Sequence, residues 1–329
     1  MILARAPLRI PLGGGGTDLS SYYRREGGFI LAAAINKYVY VCVNRPAADD
    51  LIRLKYTRSE EVSQISQVQH DLARPAFEAL GIENNIEVSS MADVPGGSGL
   101  GSSSTYLVCL LTALHALQRR QIATQDLAEL GCHLEIDVAG HAAGKQDHYT
   151  AAFGGIVALE IKPDGVVDVQ EVPLSVTTRE ELRNGLVLFF TGLTRKADAI
   201  LLAQHDQTSR QDPDVIASLD AVKELGYRVK AAIQTDDLEG FGYLMNEHWQ
   251  QKKRRSTAIS SPHLDELYDL GLKQGALGGK LVGAGGGGFL LFYCPAGKRD
   301  ALRSAMTKAG LREMPFDFDR FGAKVLVSL

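Results

Sequence analysis

No C-x-x-C pair occurs in this chain, and its cysteines, Cys42, Cys109, Cys132 and Cys294, lie far apart, three of them inside apolar runs. Such spacing gives neither a zinc ribbon nor a disulfide framework, and suits buried free thiols in a reducing compartment. Long hydrophobic runs are missing too: the longest, YLVCLLTALHAL (Tyr106 to Leu117), carries a histidine and is too short to span a bilayer. The opening MILARAPLRIP meets Arg5 and Pro7 after a brief apolar step, which is not a signal-peptide core, so a cytoplasmic protein with no membrane partner is expected. There is no basic excess. Lys and Arg number 35 against 39 Asp and Glu, a formal net charge of −4, which argues against nucleic acid as a partner. No G-x-S-x-G elbow supports serine nucleophile chemistry. His133-x-Glu135 is half of a zinc-deaminase signature with no P-C-x-x-C after it, and His141 and His148 are not spaced as a helical metal pair.

At 329 residues the chain has room for about two domains. Strand composition marks Phe29 to Asn44, Leu51 to Tyr56 and Asn85 to Met91. Leu107, Leu110, Leu111, Leu114 and Leu117 recur at helical spacing, predicting a helix that opens near Ser102 to Ser104. A second helix is expected from Thr124, as N-cap, through Val138. After a domain boundary placed near residue 180, helices are expected over Lys196–Gln204, Asp214–Ile233, Leu238–Lys253 and His263–Gln274. A strand, hairpin, strand, helix and final strand complete the chain. Strands and helices mix in both halves, residues 1–180 and 181–329, so the class is α+β rather than an alternating parallel-sheet fold.

Glycine is abundant, with three runs: PLGGGGTDL (Pro11 to Leu19), GGSGLGSSS (Gly96 to Ser104) and GAGGGG (Gly283 to Gly288). The last satisfies G-x-G-x-x-G, yet a strand, FLLFY, follows it where a dinucleotide fingerprint needs a helix. It reads as a hairpin or bulge connection that comes near the site at Gly285. The middle run opens directly onto the N-terminus of a periodic helix, aiming unpaired N–H groups and the positive end of the helix dipole at one spot. It lacks Walker spacing and a lysine, and a ligand-free glycine turn remains the alternative.

The three segments APLRIPLGGGGTDL, VPGGSGLGSSS and KLVGAGGGGF, spread over nearly the whole chain, resemble the three ordered signature motifs of the GHMP kinases. The resemblance implies an N-terminal domain like ribosomal protein S5 domain 2, a ferredoxin-like C-terminal domain, and ATP with Mg²⁺ as cofactors. Within that superfamily GGGGTDL, AGKQDHYTAAFGG and ALGGKLVGAGGGGF most resemble kinases that phosphorylate the anomeric hydroxyl of a heptose 7-phosphate, a step toward nucleotide-activated heptose for surface polysaccharide. The expected partner is therefore a small-molecule sugar phosphate; a homodimer is compatible with the sequence but not argued by it. Two alternatives stay open: a 1-kinase for an unphosphorylated sugar of galactose, fucose or mannose type, and a sugar and ATP sensor without turnover.

The resemblance assigns roles residue by residue. Pro95, Gly96, Gly97, Ser98, Gly99, Leu100, Gly101, Ser102, Ser103 and Ser104 form the ATP phosphate loop. Ser103 and Glu135 are the expected Mg²⁺ ligands, oxygen donors that suit a hard cation. Asp147, a loop aspartate in GKQDHY, is the catalytic residue that orients or deprotonates the acceptor hydroxyl, and Arg9 in A-P-x-R is its cationic partner. Gly14, Gly15, Gly16, Thr17 and Asp18 are expected at the sugar. Gly15 and Gly16 stand where galactokinase carries Glu and His, so the pocket should admit a longer sugar and repel its phosphate less. Of several cations available for that phosphate, Arg195, Lys196 and Lys252 are the expected contacts, although a basic helical cluster is often only a solvated face.

Overall fold

The computed structural model describes residues 1–193 and 198–329; the expected contacts Arg195 and Lys196 lie outside the described residues. The chain opens with β1 (Ile2–Gly13), α1 (Ser20–Glu26) and β2 (Gly28–Asn44). It continues through β3 (Ile52–Lys55), β4 (Ser59–Val62), α2 (Ala73–Ala79), β5 (Ile86–Ala92), α3 (Ser102–Leu117), α4 (Thr124–Cys132) and α5 (Gln146–Phe153). β6 (Ile156–Ile161), β7 (Val167–Glu171), α6 (Val176–Gly185), β8 (Leu186–Phe190), α7 (Asp198–Ser209), α8 (Pro213–Gln234) and α9 (Leu238–Lys253) follow. The last elements are α10 (Pro262–Lys273), β9 (Gly278–Leu281), β10 (Phe289–Tyr293), α11 (Arg299–Lys308), β11 (Arg312–Glu313) and β12 (Lys324–Ser328).

One sheet runs β12-β1-β2-β5-β3-β4, with β6 and β7 attached along the early half of β2. All of its pairs are antiparallel except β3 with β5. β2 explains the layering. Residues 28–35 are buried without alternation, and Ala32, Ala33 and Ala34 are small enough for helices to come close; α3, α5 and α8 all pack on β1 and β2. Beyond Lys37 the same strand alternates, as a strand with one wet face does. A second, four-stranded antiparallel sheet runs β11-β8-β10-β9 and shares a core of Trp249, Tyr268, Phe292, Leu302 and Met306 with α9, α10 and α11.

The chain passes from the first sheet to the second between β7 and β8, and residue 180 falls inside α6. The final strand returns to the first sheet, where Ile2 pairs with Ser328. Helix α6 is started by Ser175, whose Oγ accepts from the Thr178 N–H at 3.0 Å. Two local expectations change. Thr124 is the first helical residue and Ala123 holds the cap position, with no side-chain bond. Asp147 is not in a loop but in the first turn of α5, whose burial of His148, Tyr149 and Ala151 stabilises a helix too short to show a period in sequence.

Candidate active site

β1, the loop before α3, the start of α5 and the end of α9 converge on a cavity of about 520 Å³. Its first wall is the middle glycine run. Gly101 occupies the N-cap position of the 16-residue α3 with φ +79°, a left-handed conformation that glycine adopts at no steric cost. Having no side chain, it leaves the first N–H groups of the helix uncapped, and no acidic residue sits in the first turn. Gly96, Gly97, Gly99 and Ser102 to Ser104 line the cavity, Ser98 and Leu100 are buried beneath it, and Pro95 is exposed at its edge. The arrangement is an anion seat built from main chain.

Beside it, Arg9 and Asp147 form a two-pronged ion pair. Arg9 Nε donates to Asp147 Oδ1 at 2.6 Å and Nη2 to Oδ2 at 2.9 Å, while Nη1 donates to the Gly99 carbonyl at 2.7 Å. The guanidinium is buried and the carboxylate keeps 18% of its surface open toward the cavity. Such fork geometry fixes the carboxylate plane as well as its position. Arg9 lies on a stretch of β1 buried on both faces, so its guanidinium meets Asp147 and the Gly99 carbonyl rather than bulk water.

Glu135 belongs to a π-turn that ends α4, marked by the Ala139 N–H donating five residues back to Leu134 O at 2.9 Å. Ser104, not Ser103, donates to Glu135 Oε2, at 2.6 Å, and His148 Nε2 lies 2.8 Å from the same oxygen. Burial alone would raise the Glu135 pKa, but His141, His148 and Ser104 together hold it well below the usual carboxylate range. The same carboxylate raises His141 to about 9. Ser103 is exposed and lines the cavity. Among the described residues no group of three or more His, Cys, Asp or Glu could hold a metal ion. An ionised carboxylate beside a serine hydroxyl and a phosphate loop does fit Mg²⁺, which takes few protein ligands and completes its shell with phosphates and water.

The first glycine run divides into parts with different tasks. Thr17 Oγ1 lies 2.9 Å from Gly14 O and 2.8 Å from Phe29 O, and accepts the Phe29 N–H at 3.1 Å, so this fully buried residue pins the loop to β2. Gly14 packs against Phe29 in the same pin. Gly15, Gly16 and Asp18 line the cavity. Asp18 Oδ2 accepts from the Gln146 N–H at 3.0 Å, which links the sugar-side loop to the helix bearing Asp147. Burial raises the Asp18 pKa and the Gln146 hydrogen bond partly opposes it. This approach requires Gly144: a Cβ there would lie 2.0 Å from Asp18 Oδ2. Gly285 backs onto Ile259 rather than facing the cavity, which Gly283 and Ala284 line instead.

The remaining wall is basic and was only partly foreseen. Lys252 is buried, donating to Leu281 O at 3.0 Å and to Gly283 O. Around it stand His248, Arg255 and Lys280, all buried and all lining the cavity. Burial, then Arg255 and Arg9, push the Lys252 amine down to about 7. Burial, then Lys252, Arg9 and Arg255, push Lys280 well below its usual value. The spacing of His248, Lys252 and Arg255, four and then three residues, is the one sequence signal that could have grouped them. Lys280 sits in a short apolar strand and gives no such signal.

With this geometry described, known proteins can be compared. The description "GHMP kinases N terminal domain" matches residues 67–155 and "GHMP kinases C terminal" matches residues 229–311. The chain is 27% identical to a D-glycero-alpha-D-manno-heptose 7-phosphate kinase of Campylobacter jejuni, over 98% of each chain. It is also 27% identical to an L-fucokinase/L-fucose-1-P guanylyltransferase of Bacteroides fragilis, over 88% of this chain and 34% of that larger protein. Among solved structures, a D-glycero-D-manno-heptose 1-phosphate kinase from Bacteroides thetaiotaomicron superposes with a TM-score of 0.83 at 26% identity, covering all of both chains. No helix among the described residues is long and apolar enough to cross a membrane. The two matched domains, the whole-length likeness to sugar kinases and the glycine-walled cavity place the chain in the GHMP kinase family, as a sugar kinase.

Proposed function

We propose that this kinase transfers the γ-phosphoryl group of ATP to the anomeric hydroxyl of a heptose 7-phosphate, giving the 1,7-bisphosphate that feeds nucleotide-activated heptose for surface polysaccharide. The observation that carries this reading is the placing of the Arg9–Asp147 pair between the α3 phosphate loop and the Asp18 loop, in one cavity. ATP, which GHMP kinases use, brings phosphates that suit the uncapped start of α3 with Gly96 to Ser104 around them. Ser103 and Glu135 would hold Mg²⁺, which supplies charge neutralisation to the transferring group when bound.

The chain's own residues then position the acceptor. Asp147 offers its cavity-facing oxygen to the anomeric hydroxyl, and Arg9 keeps that oxygen from rotating away. With both oxygens fixed by the fork, the carboxylate's main contribution is orientation; the proton passes to it late, as the new P–O bond forms. An anomeric hydroxyl is more acidic than a typical alcohol, which suits a weak base. Asp18, fixed by Gln146, is placed to accept from another sugar hydroxyl.

The test is a panel measuring ADP release with heptose 7-phosphate, heptose 1-phosphate, mannose, galactose and fucose, with ³¹P NMR of the product. Turnover greatest on the 7-phosphate with a new anomeric phosphate supports the proposal. Greater turnover on an unphosphorylated sugar replaces it with the simple 1-kinase reading. Tight ATP binding with no ADP from any sugar supports a sensor.

A further inference from the structure

We propose that Arg255, with Lys252 and His248 on its flank and the main chain of Gly15 and Gly16 opposite, seats a phosphate that the acceptor sugar already carries. The inference deepens the reading above and rests on the acceptor being a sugar phosphate. It keeps the expected contact Lys252 and adds Arg255 and His248, residues whose basic heads are buried in the cavity wall.

Arg255, in the turn that ends α9, is only 4% exposed yet incompletely bonded. Its Nε donates to Ser218 Oγ at 3.2 Å and its Nη1 to Gly15 O at 3.1 Å, while Nη2 is buried with no hydrogen-bond partner among the described residues. Both ring nitrogens of His248, 2% exposed, are likewise without a partner among the described residues. A buried guanidinium N–H left unmade is destabilising unless a ligand completes it.

The charge balance points the same way. Asp147 answers Arg9, and His141 and His148 stand at Glu135. Among the described residues that line the cavity, Lys252, Arg255 and Lys280 have no carboxylate paired with them, and Asp18, which acts on Arg255, is the only one left over. Burial pushes every basic group of the cluster downward, Arg255 to about 10 against the opposing pull of Tyr22 and Asp18, and repulsion from neighbouring cations adds to it at His248, Lys252 and Lys280. Three buried basic groups with so little counter-charge favour an anionic group such as a phosphate monoester.

Position separates this seat from the nucleotide's. Gly101 and Gly99 contact the Asp147 and Arg9 side, whereas Arg255 lies against the first glycine run: a Cβ on Gly16 would stand 2.5 Å from Arg255 Nη1 and 2.9 Å from Gln204 Nε2. Gly15 has open space where its side chain would be. A sugar with its reacting hydroxyl at Asp147 would therefore direct its far end at Arg255, past the open space at Gly15, while the missing side chain of Gly16 lets Arg255 and Gln204 come close to the loop.

Two variants and one binding measurement test the assignment. In Arg255→Met the ratio of kcat/KM for heptose 7-phosphate over the unphosphorylated heptose should fall by about 10- to 100-fold, the size of a lost charged hydrogen bond. Gly15→Glu, which the open space admits, should lower the same ratio by setting a carboxylate beside the incoming phosphate. Equal losses on both sugars in both variants would overturn the proposal. Independently, inorganic phosphate is titrated into the enzyme saturated with a non-hydrolysable ATP analogue, which fills the other seat. Saturable binding that Arg255→Met abolishes supports the seat even if no heptose is phosphorylated, in which case the reaction assignment alone fails. No saturable binding to the unaltered enzyme, or equal binding to Arg255→Met, refutes the seat.

Discussion

The Lys252 ammonium imposes a measurable stability gradient on the ligand-free enzyme. Folding carries it from water, where it titrates at 10.5, to a buried site where burial, Arg255 and Arg9 push it down to about 7. Because the folded value is the lower one and the group is a base, the folded protein binds fewer protons than the unfolded chain between those limits. Stability therefore rises with pH across that window, and the penalty is largest at and below pH 7. The slope approaches about 1.4 kcal/mol per pH unit, and integrated from pH 7 to pH 9 the gain is about 2 kcal/mol. At roughly 2 cal/mol/K of unfolding entropy per residue, a chain of this length converts that gain into about 3 °C. Lys252→Met removes the titration while keeping most of the volume. Its melting temperature minus that of the unaltered protein, measured by scanning calorimetry in phosphate-free and nucleotide-free buffer, should be about 3 °C greater at pH 7 than at pH 9. Relief of Lys280, which Lys252 also pushes down, acts in the same direction. A difference that does not change with pH, or that grows toward pH 9, would refute the idea of a desolvated, repelling basic wall.

Asp147→Asn should lower kcat by about 10²- to 10⁴-fold with the KM for ATP little changed, and near-normal turnover in steady-state assays would remove Asp147 from the reaction. Gly101→Ala would place a Cβ 2.8 Å from Asp147 Oδ2 at a φ of +79°. It should fold with an intact circular dichroism spectrum yet lose kcat, and an unaltered kcat would show that the carboxylate tolerates displacement. Glu135→Gln should raise the Mg²⁺ concentration needed for half-maximal rate, whereas an unchanged Mg²⁺ titration would leave Glu135 a purely structural partner of Ser104 and His148.

The order of the three glycine runs and the strong periodicity after the middle one made the family-like architecture and the phosphate loop legible, because backbone-built sites depend on residues that are themselves local. Arg9 and Asp147 could be named on the resemblance of their motifs, but their pairing spans 138 residues and needs a strand and a helix to meet. The helix around Asp147 escaped notice since a two-turn element buried at its C-terminal end shows no period. That Ser104 is the serine bonded to Glu135 was not legible for a similar reason: neighbouring helical residues point about 100° apart, and only the packing of α3 against the π-turn decides which hydroxyl faces inward.

What the sequence determined by itself is therefore what short stretches encode: the uncapped glycine entrance to α3, the bare loop from Gly14 to Gly16, and the strands and long helices. Tertiary structure alone decided which charges are buried. Of His248, Lys252, Arg255 and Lys280 only Lys252 is singled out along the chain; the four become a concentrated, incompletely neutralised wall only because α9 and β9 press them against β1 and the first glycine loop. Burial is a property of the assembled fold, and burial is what turns four basic side chains into a site that requires an anion.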